Sequence, residues 1–365
     1  MFLDRAAMSI STSQFLIVAV AAFALTGLLT WPVRALAVRV GAMDKPNLAR
    51  KTQAEPVPYL GGVAIALGIT IITFAAVFVG GNKDGQNAGQ FKDLALTVLL
   101  PALLLGAMGL IDDLRSLSPW PRLIAQTVVG TVLALVIVDS GTVGTPFGQG
   151  ATGDSGSWIN TAVTIFWIVG ICNSINFFDN LDGAASGAVA IAALGVFVIA
   201  FDRGQELVSA LSIVTAGATI GFLMWNKSPA KIYMGDAGAL FLGIIISVAT
   251  IRLNPGINPT WQSLAIPVIL LAVPLLDTCV AVLSRLARGL SPLQGGKDHL
   301  SHRLVRAGLS RSMAAIALWS ASAVCALFAI GVYFFADSFG SALIGVFAAG
   351  WLIALTLFLR TPSHD

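Results

Sequence analysis

The 365-residue sequence predicts an all-α polytopic membrane protein, and three observations support that fold class. Hydrophobic residues make up 56% of the chain and charged residues only 11%, which a soluble domain of this length does not show. Apolar runs of about 16 to 25 residues recur along the whole chain, and a helix of that length crosses a bilayer. The runs are also too long and too uniformly apolar for the strands of a membrane barrel.

We predict eleven spans within one integral membrane domain that covers residues 1–365. They lie near residues 14–33, 60–80, 94–111, 122–139, 158–176, 184–201, 207–225, 236–251, 262–285, 312–336 and 338–359. The first run has a single upstream base and no clean cleavage site, so we interpret it as a span, with a signal peptide as the alternative. Pro267 and Pro274 lie inside the ninth span, and we expect that helix to be kinked or broken because each proline removes a backbone donor.

The distribution of charge predicts how the chain is oriented. If the connection between the first two spans faces the cytoplasm, sixteen Lys and Arg residues lie inside and five lie outside. This places the amino terminus outside and the carboxyl terminus inside. The three cysteines lie inside apolar spans without short spacings, so neither a zinc site nor a disulfide framework is indicated. The net charge of +3 is small, and we expect no nucleic-acid partner.

Two adjacent carboxylates, Asp112 and Asp113, end the third span. They lie at the negative end of a helix dipole, where each is unfavourable unless a cation compensates it. A divalent metal or a basic side chain would be the compensating group. The alternative is a solvated helix end in which the pair faces Arg115, because exposed ion pairs of this kind are common and weak.

The connection after the fifth span is unusually polar for this chain. It holds three amides and two carboxylates within eleven residues, namely Asn173, Asn176, Asp179, Asn180 and Asp182. Polar groups this dense beside a membrane helix indicate a functional site. On a helix the three asparagines share one face and can bind a ligand by hydrogen bonds. The alternative is a polar helix end that caps itself.

Asp236 opens the eighth span between two glycines, Gly235 and Gly238. An aspartate just before an apolar helix is a preferred amino-terminal cap, which is the structural interpretation. The glycines favour a functional one, since they let a bulky anionic ligand approach the backbone closely. An unobstructed carboxylate suits Mg²⁺, which takes oxygen ligands and keeps waters for substrate phosphates.

A basic segment with two of the three histidines follows the ninth span, and His299, His302 and Arg303 are its candidate binding residues. Two histidines three residues apart meet on one helical face. A transition-metal site would need further ligands, and only Asp298 is near, so we expect an anion site in which Arg and His donate to phosphate oxygens. The alternative is a positive-inside loop that only sets orientation.

All four clusters follow odd-numbered spans, so all four lie on the predicted cytoplasmic side. One composite acidic and basic site at the inner membrane surface is the simplest interpretation. An ion-coupled transporter is the alternative from another class, and it would place ionisable groups near the bilayer midplane. Only Asp277 lies that deep. It precedes Arg285 by eight residues, about 12 Å along a helix, so the two share a face without pairing and Asp277 needs another partner.

These motifs resemble, in order and spacing, those of the polyprenyl-phosphate N-acetylhexosamine-1-phosphate transferases. The resemblance runs from Asp44-Lys45-Pro46 and the segment 56–62 to Leu309. That superfamily includes the phospho-MurNAc-pentapeptide translocase of peptidoglycan synthesis and the bacterial enzymes that put GlcNAc-1-phosphate on undecaprenyl or decaprenyl phosphate. Four motifs in the correct topological order make the resemblance specific, although each alone would be weak.

The resemblance implies a role for each candidate residue. Asp236 would be the principal Mg²⁺ ligand, with Mn²⁺ as the alternative ion, and Asp112 and Asp113 would flank the metal and the lipid phosphate. Asp112 would be the base, and Asp113 a second metal ligand. Asn173 and Asp179 would organise the diphosphate and metal surroundings, and Asn176 would be a further substrate-binding residue. The remaining roles are lining of the uridine pocket by Asn180, Leu181 and Asp182, and phosphate binding by Arg122, His299, His302 and Arg303.

The resemblance also implies the reaction and its partners. A UDP-N-acetylhexosamine and a polyprenyl phosphate (undecaprenyl or decaprenyl) would give a polyprenyl-diphospho-sugar and UMP, in the first membrane step of a cell-envelope glycan pathway. The lipid bilayer, the bacterial plasma membrane, would hold the acceptor, with the site on the cytoplasmic face, and a homodimer remains open. Ser301 replaces a histidine of the pentapeptide branch. Together with the eleventh span this favours UDP-GlcNAc as donor, with UDP-MurNAc-pentapeptide as the alternative.

Overall fold

The computed structural model describes residues 10–44, 55–79, 94–115, 117–139, 154–293 and 295–361. The helices of these residues are α1 (Thr12–Arg39), α2 (Gly61–Val79), α3 (Leu100–Arg115), α4 (Pro119–Asp139), α5 (Asp154–Phe178), α6 (Ala184–Asp202), α7 (Glu206–Asn226), α8 (Gly235–Arg252), α9 (Thr260–Leu270), α10 (Ala272–Ala287), α11 (Leu300–Arg306), α12 (Arg311–Phe334) and α13 (Ser341–Arg360). Single π-helical turns, Ala95–Leu99 and Ala336–Gly340, precede α3 and α13. Two short strands, β1 (Met43–Asp44) and β2 (Val57–Pro58), form an antiparallel pair.

The helices confirm the predicted fold class. Within the described ranges, nine helices are long and apolar enough to cross a membrane, and the bent pair α9 and α10 makes a tenth span. The remaining predicted span, near residues 60–80, corresponds to α2, whose apolar stretch Gly61–Ala76 is shorter. The protein is therefore an all-α polytopic membrane protein, and each predicted span lies on a helix.

The ninth predicted span is broken, as its prolines indicate. Helices α9 and α10 meet at 72° around Leu271. Pro274 has no N–H to offer to the carbonyl of Leu270 four residues earlier, so the helical ladder is interrupted there. Because of the bend, α10 runs in a new direction, in which it packs against α5 and α13.

Helix α8 lies at the centre of the bundle, where it packs against α2, α3 and α5. Of its apolar stretch 83% is buried, compared with none of the stretch that contains α13. Glycines permit the close packing around α8: a Cβ atom at Gly109 of α3 would lie 2.4 Å from the Asp236 backbone, and one at Gly62 would lie 2.1 Å from the nitrogen of Gly238. The central helix therefore has a closely determined position at its amino-terminal end.

The chain between β2 and α2 holds the start of α8 by backbone hydrogen bonds. Tyr233 donates its N–H to the carbonyl of Pro58 at 2.9 Å, and Gly61 donates to the carbonyl of Tyr233 at 2.9 Å. Gly62 donates in the same way to Met234 at 2.9 Å. Lys45 and Pro46 of the motif that precedes this segment lie outside the described residues. The glycine-containing segment after β2 therefore contributes to the position of Asp236.

Candidate active site

Arg122 bridges two carboxylates that come from different helices. Its Nη1 lies 2.8 Å from Oδ2 of Asp112 on α3, and the same nitrogen donates to Oδ2 of Asp236 on α8. The N–H of Leu117 donates to the other oxygen of Asp112 at 2.6 Å. The predicted compensating cation of Asp112 is therefore Arg122, at the start of α4, and not the exposed Arg115.

Asp113 caps the amino terminus of α8. Its Oδ1 accepts the N–H of Asp236 at 2.9 Å and its Oδ2 accepts the N–H of Ala237 at 3.1 Å. Gly235 has a φ of +68°, and a Cβ there would lie 2.5 Å from a carboxylate oxygen of Asp113. The interpretation of Asp236 as the helix cap is therefore wrong. Asp113 satisfies those amides from a neighbouring helix, and the side chain of Asp236 points elsewhere.

The asparagines of α5 connect the carboxylates to α4. Asn176 donates through Nδ2 to Oδ1 of Asp236 at 2.6 Å. One turn earlier, Asn173 donates to Oε1 of the buried Gln126 at 2.5 Å and to the carbonyl of Val169 at 2.8 Å. Sequence reasoning missed Gln126. Its spacing of four residues from Arg122, which places both on one face of α4, was the available signal.

Asp179 follows α5 and lies near the other carboxylates. Within the part of the chain that the structure describes, no cation or hydrogen-bond donor contacts its carboxylate. Burial raises its pKa well above the ordinary value, and the carboxylates of Asp236, Asp113 and Asp182 raise it further. We define the carboxylate centre as Asp112, Asp113, Asp179 and Asp236. Among the described residues, Arg122 is the one basic side chain that contacts it.

The three residues expected at a uridine pocket make contacts within the protein. Asp182 is 6% exposed, accepts the N–H of Ala230 at 3.1 Å and pairs with Nη2 of Arg311 at 2.9 Å. Leu181 is buried, and Asn180 accepts a hydrogen bond from the hydroxyl of Ser301. The contact from Asn180 brings the segment after α10 to the end of α5.

We call that segment, residues 288–306, the His299 loop. Its contacts with α10 include the buried carboxylate of Asp277. Nδ1 of His299 lies 2.7 Å from Oδ2 of Asp277, and the N–H of Leu300 donates to Oδ1 at 2.7 Å. Nε2 of His299 lies 3.2 Å from Nη2 of Arg285. The carboxylate makes Nδ1 the protonated nitrogen, so Nε2 accepts from the guanidinium. The partner that Asp277 needs is therefore His299.

Asp298 balances the arginines next to His299. It is 2% exposed, pairs with Nε of Arg285 at 3.1 Å and contacts Arg288. The ring of His302 lies 6.2 Å from that of His299, and Phe177 of α5 packs edge-on against His299 at 6.0 Å. Burial and, to a lesser degree, nearby positive groups lower the pKa of His302 to about 4, so His302 is neutral at pH 7.

Arg303 does not face the candidate site. Only 1% of it is exposed, and it donates to the carbonyl of Asp298 at 2.9 Å, to the hydroxyl of Ser284 at 2.6 Å and to carbonyls at the end of α13. The prediction that Arg303 holds phosphate is therefore not supported by the geometry. The guanidinium of Arg303 already donates hydrogen bonds to acceptors within the protein.

The donor set of the carboxylate centre fits a hard divalent cation. Oxygens of Asp112 and Asp236 already converge on one positively charged nitrogen, and the carboxyl group of Asp179 lies near Asp236. Within the described ranges, no group of three or more His, Cys, Asp or Glu side chains is placed so that it could hold a metal ion without further ligands. Mg²⁺ is usually bound by one or two carboxylates plus substrate phosphates, so this open arrangement suits it.

Comparisons with known proteins identify the family of the chain. The family model described as "Glycosyl transferase family 4" matches residues 95–254. The chain is 33% identical to a probable undecaprenyl-phosphate N-acetylglucosaminyl 1-phosphate transferase of Bacillus subtilis, over 81% of this chain and 78% of that protein. It is 30% identical to a decaprenyl-phosphate N-acetylglucosaminephosphotransferase of Mycolicibacterium smegmatis, over 88% and 83%. A phospho-N-acetylmuramoyl-pentapeptide-transferase of Streptococcus thermophilus is 33% identical over only 54% and 59%.

Proposed function

The chain belongs to the polyprenyl-phosphate N-acetylhexosamine-1-phosphate transferase family, and we propose that it moves GlcNAc-1-phosphate from UDP-GlcNAc to a polyprenyl phosphate. The products are polyprenyl-diphospho-GlcNAc and UMP. The observation that carries the proposal is the carboxylate centre bridged by Arg122 at one end of a membrane bundle. The relatives named for N-acetylglucosamine transfer match over most of their length, which supports this donor over the pentapeptide donor.

The reaction is a phosphoryl transfer. An oxygen of the acceptor phosphate forms a bond to the phosphorus that carries the sugar, and the bond from that phosphorus to the bridging oxygen breaks. UMP leaves with that oxygen and its electron pair. Such a transfer depends on positioning and on neutralisation of the phosphate charge. We favour direct attack over a covalent aspartyl intermediate, because Asp112 and Asp236, the carboxylates beside the phosphate-binding Arg122, are both paired with it and so are weak nucleophiles. A covalent route would have to use Asp179, which has no such partner among the described residues.

We propose that Mg²⁺, or Mn²⁺ in its place, is held by Asp236 and Asp112, with Asp179 adding negative charge. When bound, the ion would neutralise the diphosphate and stabilise charge on the leaving oxygen. Asn176 orients Asp236 through its hydrogen bond, and Arg122 is placed to bind a phosphate oxygen. We leave Asp113 out of the proposed metal set because its two oxygens accept the amides that begin α8.

Asp112 is the carboxylate that we assign to the acceptor. It is 6% exposed and lies beside Arg122, so an acceptor phosphate bound to the guanidinium would meet it. A carboxylate there can take the proton from a phosphate that arrives protonated. The polyprenyl chain reaches the site from the lipid bilayer. The excess of basic residues at this end supports a location at the cytoplasmic face of a bacterial plasma membrane.

The direct test is an assay of the purified protein with polyprenyl phosphate and a panel of UDP-sugars, with UMP release as the readout. We expect UDP-GlcNAc with Mg²⁺ to be turned over, and UDP-MurNAc-pentapeptide to be rejected by several powers of ten, a range that unmatched polar groups and sterics reach. Equal UMP release from both donors would contradict the assigned donor. Turnover of the pentapeptide donor alone would move the chain to the other branch.

Sidedness has its own test, for which an exposed residue of the His299 loop is needed. Ser301 is buried, whereas Ser291 is exposed. A Ser291→Cys variant without the native cysteines should resist a membrane-impermeant thiol reagent in intact cells and react in inverted vesicles. Labelling in intact cells would place the loop on the outer face and contradict the proposal.

A further inference from the structure

The last span, α13, supplies no side chain to the candidate site and has no buried residue along its length. Its polar contacts nevertheless go to the broken ninth span. Ser341, at its start, accepts a hydrogen bond from Nε2 of Gln262 on α9 at 2.9 Å. Trp351, near its middle, donates through Nε1 to the carbonyl of Ala272 at 3.1 Å, just after the break. The span is therefore tied to α9 and α10 at two heights.

A third contact, at the opposite end of α13, involves the His299 loop. Nη1 of Arg303 donates to the carbonyls of Phe358 and Thr361, in the last turn of α13. Its other donors bind the loop and α10, through the carbonyl of Asp298 and the hydroxyl of Ser284. One guanidinium thus joins the loop and α10 to the end of α13, which lies more than fifty residues further along the chain.

Two physical effects make this contact specific. The last carbonyls of a helix have no partner within the helix, and a cation is favourable near them because of the helix dipole. A buried guanidinium is stable only when its donors are satisfied, and Arg303 is 1% exposed with four acceptors around it. Asp298 directly precedes His299. The loop carbonyl to which Arg303 donates therefore belongs to the residue next to that histidine.

We infer that Arg303 is a positioning residue: it ties the carboxyl-terminal end of α13 to the His299 loop, and the last span thereby sets the position of His299 at the active site. The role rests on the proposed transferase function, because it is the family resemblance that gives His299 a place beside the phosphates. It differs from a direct phosphate contact, since no donor of Arg303 points into the site. Helix α13, which touches no substrate, would in this way control how tightly the active site binds its substrate.

The experiment compares variants of the full-length protein in detergent. Arg303→Gln removes the charge and the forked donors, and Arg303→Lys keeps the charge but can reach fewer acceptors. Two matched controls lie at the same helix end: Arg360→Gln removes an exposed charge, and Thr361→Ala keeps the backbone carbonyl that Arg303 binds. If Arg303→Gln does not elute as a monodisperse species, Arg303→Lys carries the comparison.

The first readout is independent of activity. Hydrogen exchange should accelerate together in the peptides that cover residues 298–306 and 355–361, by about tenfold in Arg303→Gln and less in Arg303→Lys, because local opening frees both segments. Exchange near residues 235–240 should stay unchanged, as should every peptide in the two controls. Faster exchange in the loop without a change at the end of α13, or no change in either, would overturn the proposal.

The second readout is kinetic. In Arg303→Gln the KM of the nucleotide sugar or of the lipid should rise about tenfold while kcat falls less than threefold, the pattern of lost binding rather than lost chemistry. The KM of Arg303→Lys should lie between that of Arg303→Gln and that of the wild type. Wild-type KM values for both substrates in Arg303→Gln would overturn the proposal. If the wild-type protein releases no UMP at all, the proposed function fails, and the exchange readout still decides whether Arg303 ties α13 to the loop.

Discussion

The carboxylate centre and the His299 loop lie side by side, and they differ in how their charges are balanced. In the centre, Arg122 contacts two of the four carboxylates, and Asp179 has no contact with a cation or donor among the described residues. In the loop, Asp277 is hydrogen-bonded to His299, and Asp298 is paired with two arginines. Folding has paired the carboxylates of the loop and has left those of the centre with one contacting cation among the described residues.

The difference shows where a ligand is needed. Ionised groups at a membrane boundary are unfavourable unless paired, so an uncompensated set indicates a cation supplied from outside the chain. A set that is fully paired within the protein holds a segment in place, as the Asp277 contacts hold the start of α11. Charged residues that look equivalent in sequence therefore have different roles, and variants can separate them.

The largest effect is expected for Asp236→Asn, in the unbalanced cluster. The variant should fold, because Asp113 and not Asp236 caps α8, yet it loses the charge that the cation needs. We expect UMP release to fall by about 1,000-fold, the scale on which removal of one preorganised electrostatic group acts. Rates should be measured over a Mg²⁺ titration, and near wild-type release at saturating Mg²⁺ would contradict the metal role.

Asp113→Ala is the matched variant for that experiment. It leaves the N–H groups of Asp236 and Ala237 without their acceptor, so the free energy of unfolding should drop by about 2 kcal/mol. Thermal unfolding in detergent should therefore show a lower midpoint for Asp113→Ala and an unchanged one for Asp236→Asn. The reverse order would mean that Asp236 is the structural residue of the pair.

Gly109→Ala tests whether the centre depends on the position of α8. A Cβ atom there would lie 2.4 Å from the Asp236 backbone, so α8 or α3 must shift. A misplacement of roughly 1 Å should lower activity by about 100-fold. Gly170→Ala on α5 is the control, because nothing lies within 4 Å of its added Cβ. Equal UMP release by the two variants would show that the centre tolerates the shift.

Asp298→Asn breaks the balanced cluster. It leaves Arg285, which is 2% exposed, without its carboxylate, and loss of one partner of a buried pair destabilises by about 3 to 5 kcal/mol. We expect a lower unfolding midpoint and a roughly tenfold loss of UMP release, since the loop position contributes less than the reacting groups. A loss of UMP release as large as that of Asp236→Asn would mean that Asp298 takes part in the chemical step.

The smallest effect at neutral pH is expected for His302→Gln. The pKa of His302 lies near 4 in the folded protein, below its ordinary value of 6.5. Between these values the unfolded chain binds the proton and the folded one does not, so His302 lowers stability as the pH falls from 6.5 towards 4. The variant should match wild-type activity at pH 7.5 and unfold at a higher temperature than the wild type at pH 5. The same acid sensitivity in both proteins would contradict the assigned protonation.

The sequence by itself determined the class of fold and the location of the site along the chain. Apolar runs long enough to span a bilayer can only be helices, because every backbone group must be satisfied within the run. Prolines at 267 and 274 marked the break, since each removes one hydrogen bond from the helical ladder and crowds the preceding turn. Polar clusters after alternate spans had to meet at one end of the bundle. These properties depend on the chemistry of short segments and on the number of spans between one polar cluster and the next.

Only the tertiary structure decided which polar residue does what. A carboxylate before a helix looks the same whether it caps that helix or not, and the caps of α8 came from Asp113, more than a hundred residues away. The partner of Asp277 and the burial of Arg303 likewise depended on which segments α10 and α13 bring together. Hydrogen bonds and ion pairs act over a few ångströms in space, so residues that are distant in sequence settle them.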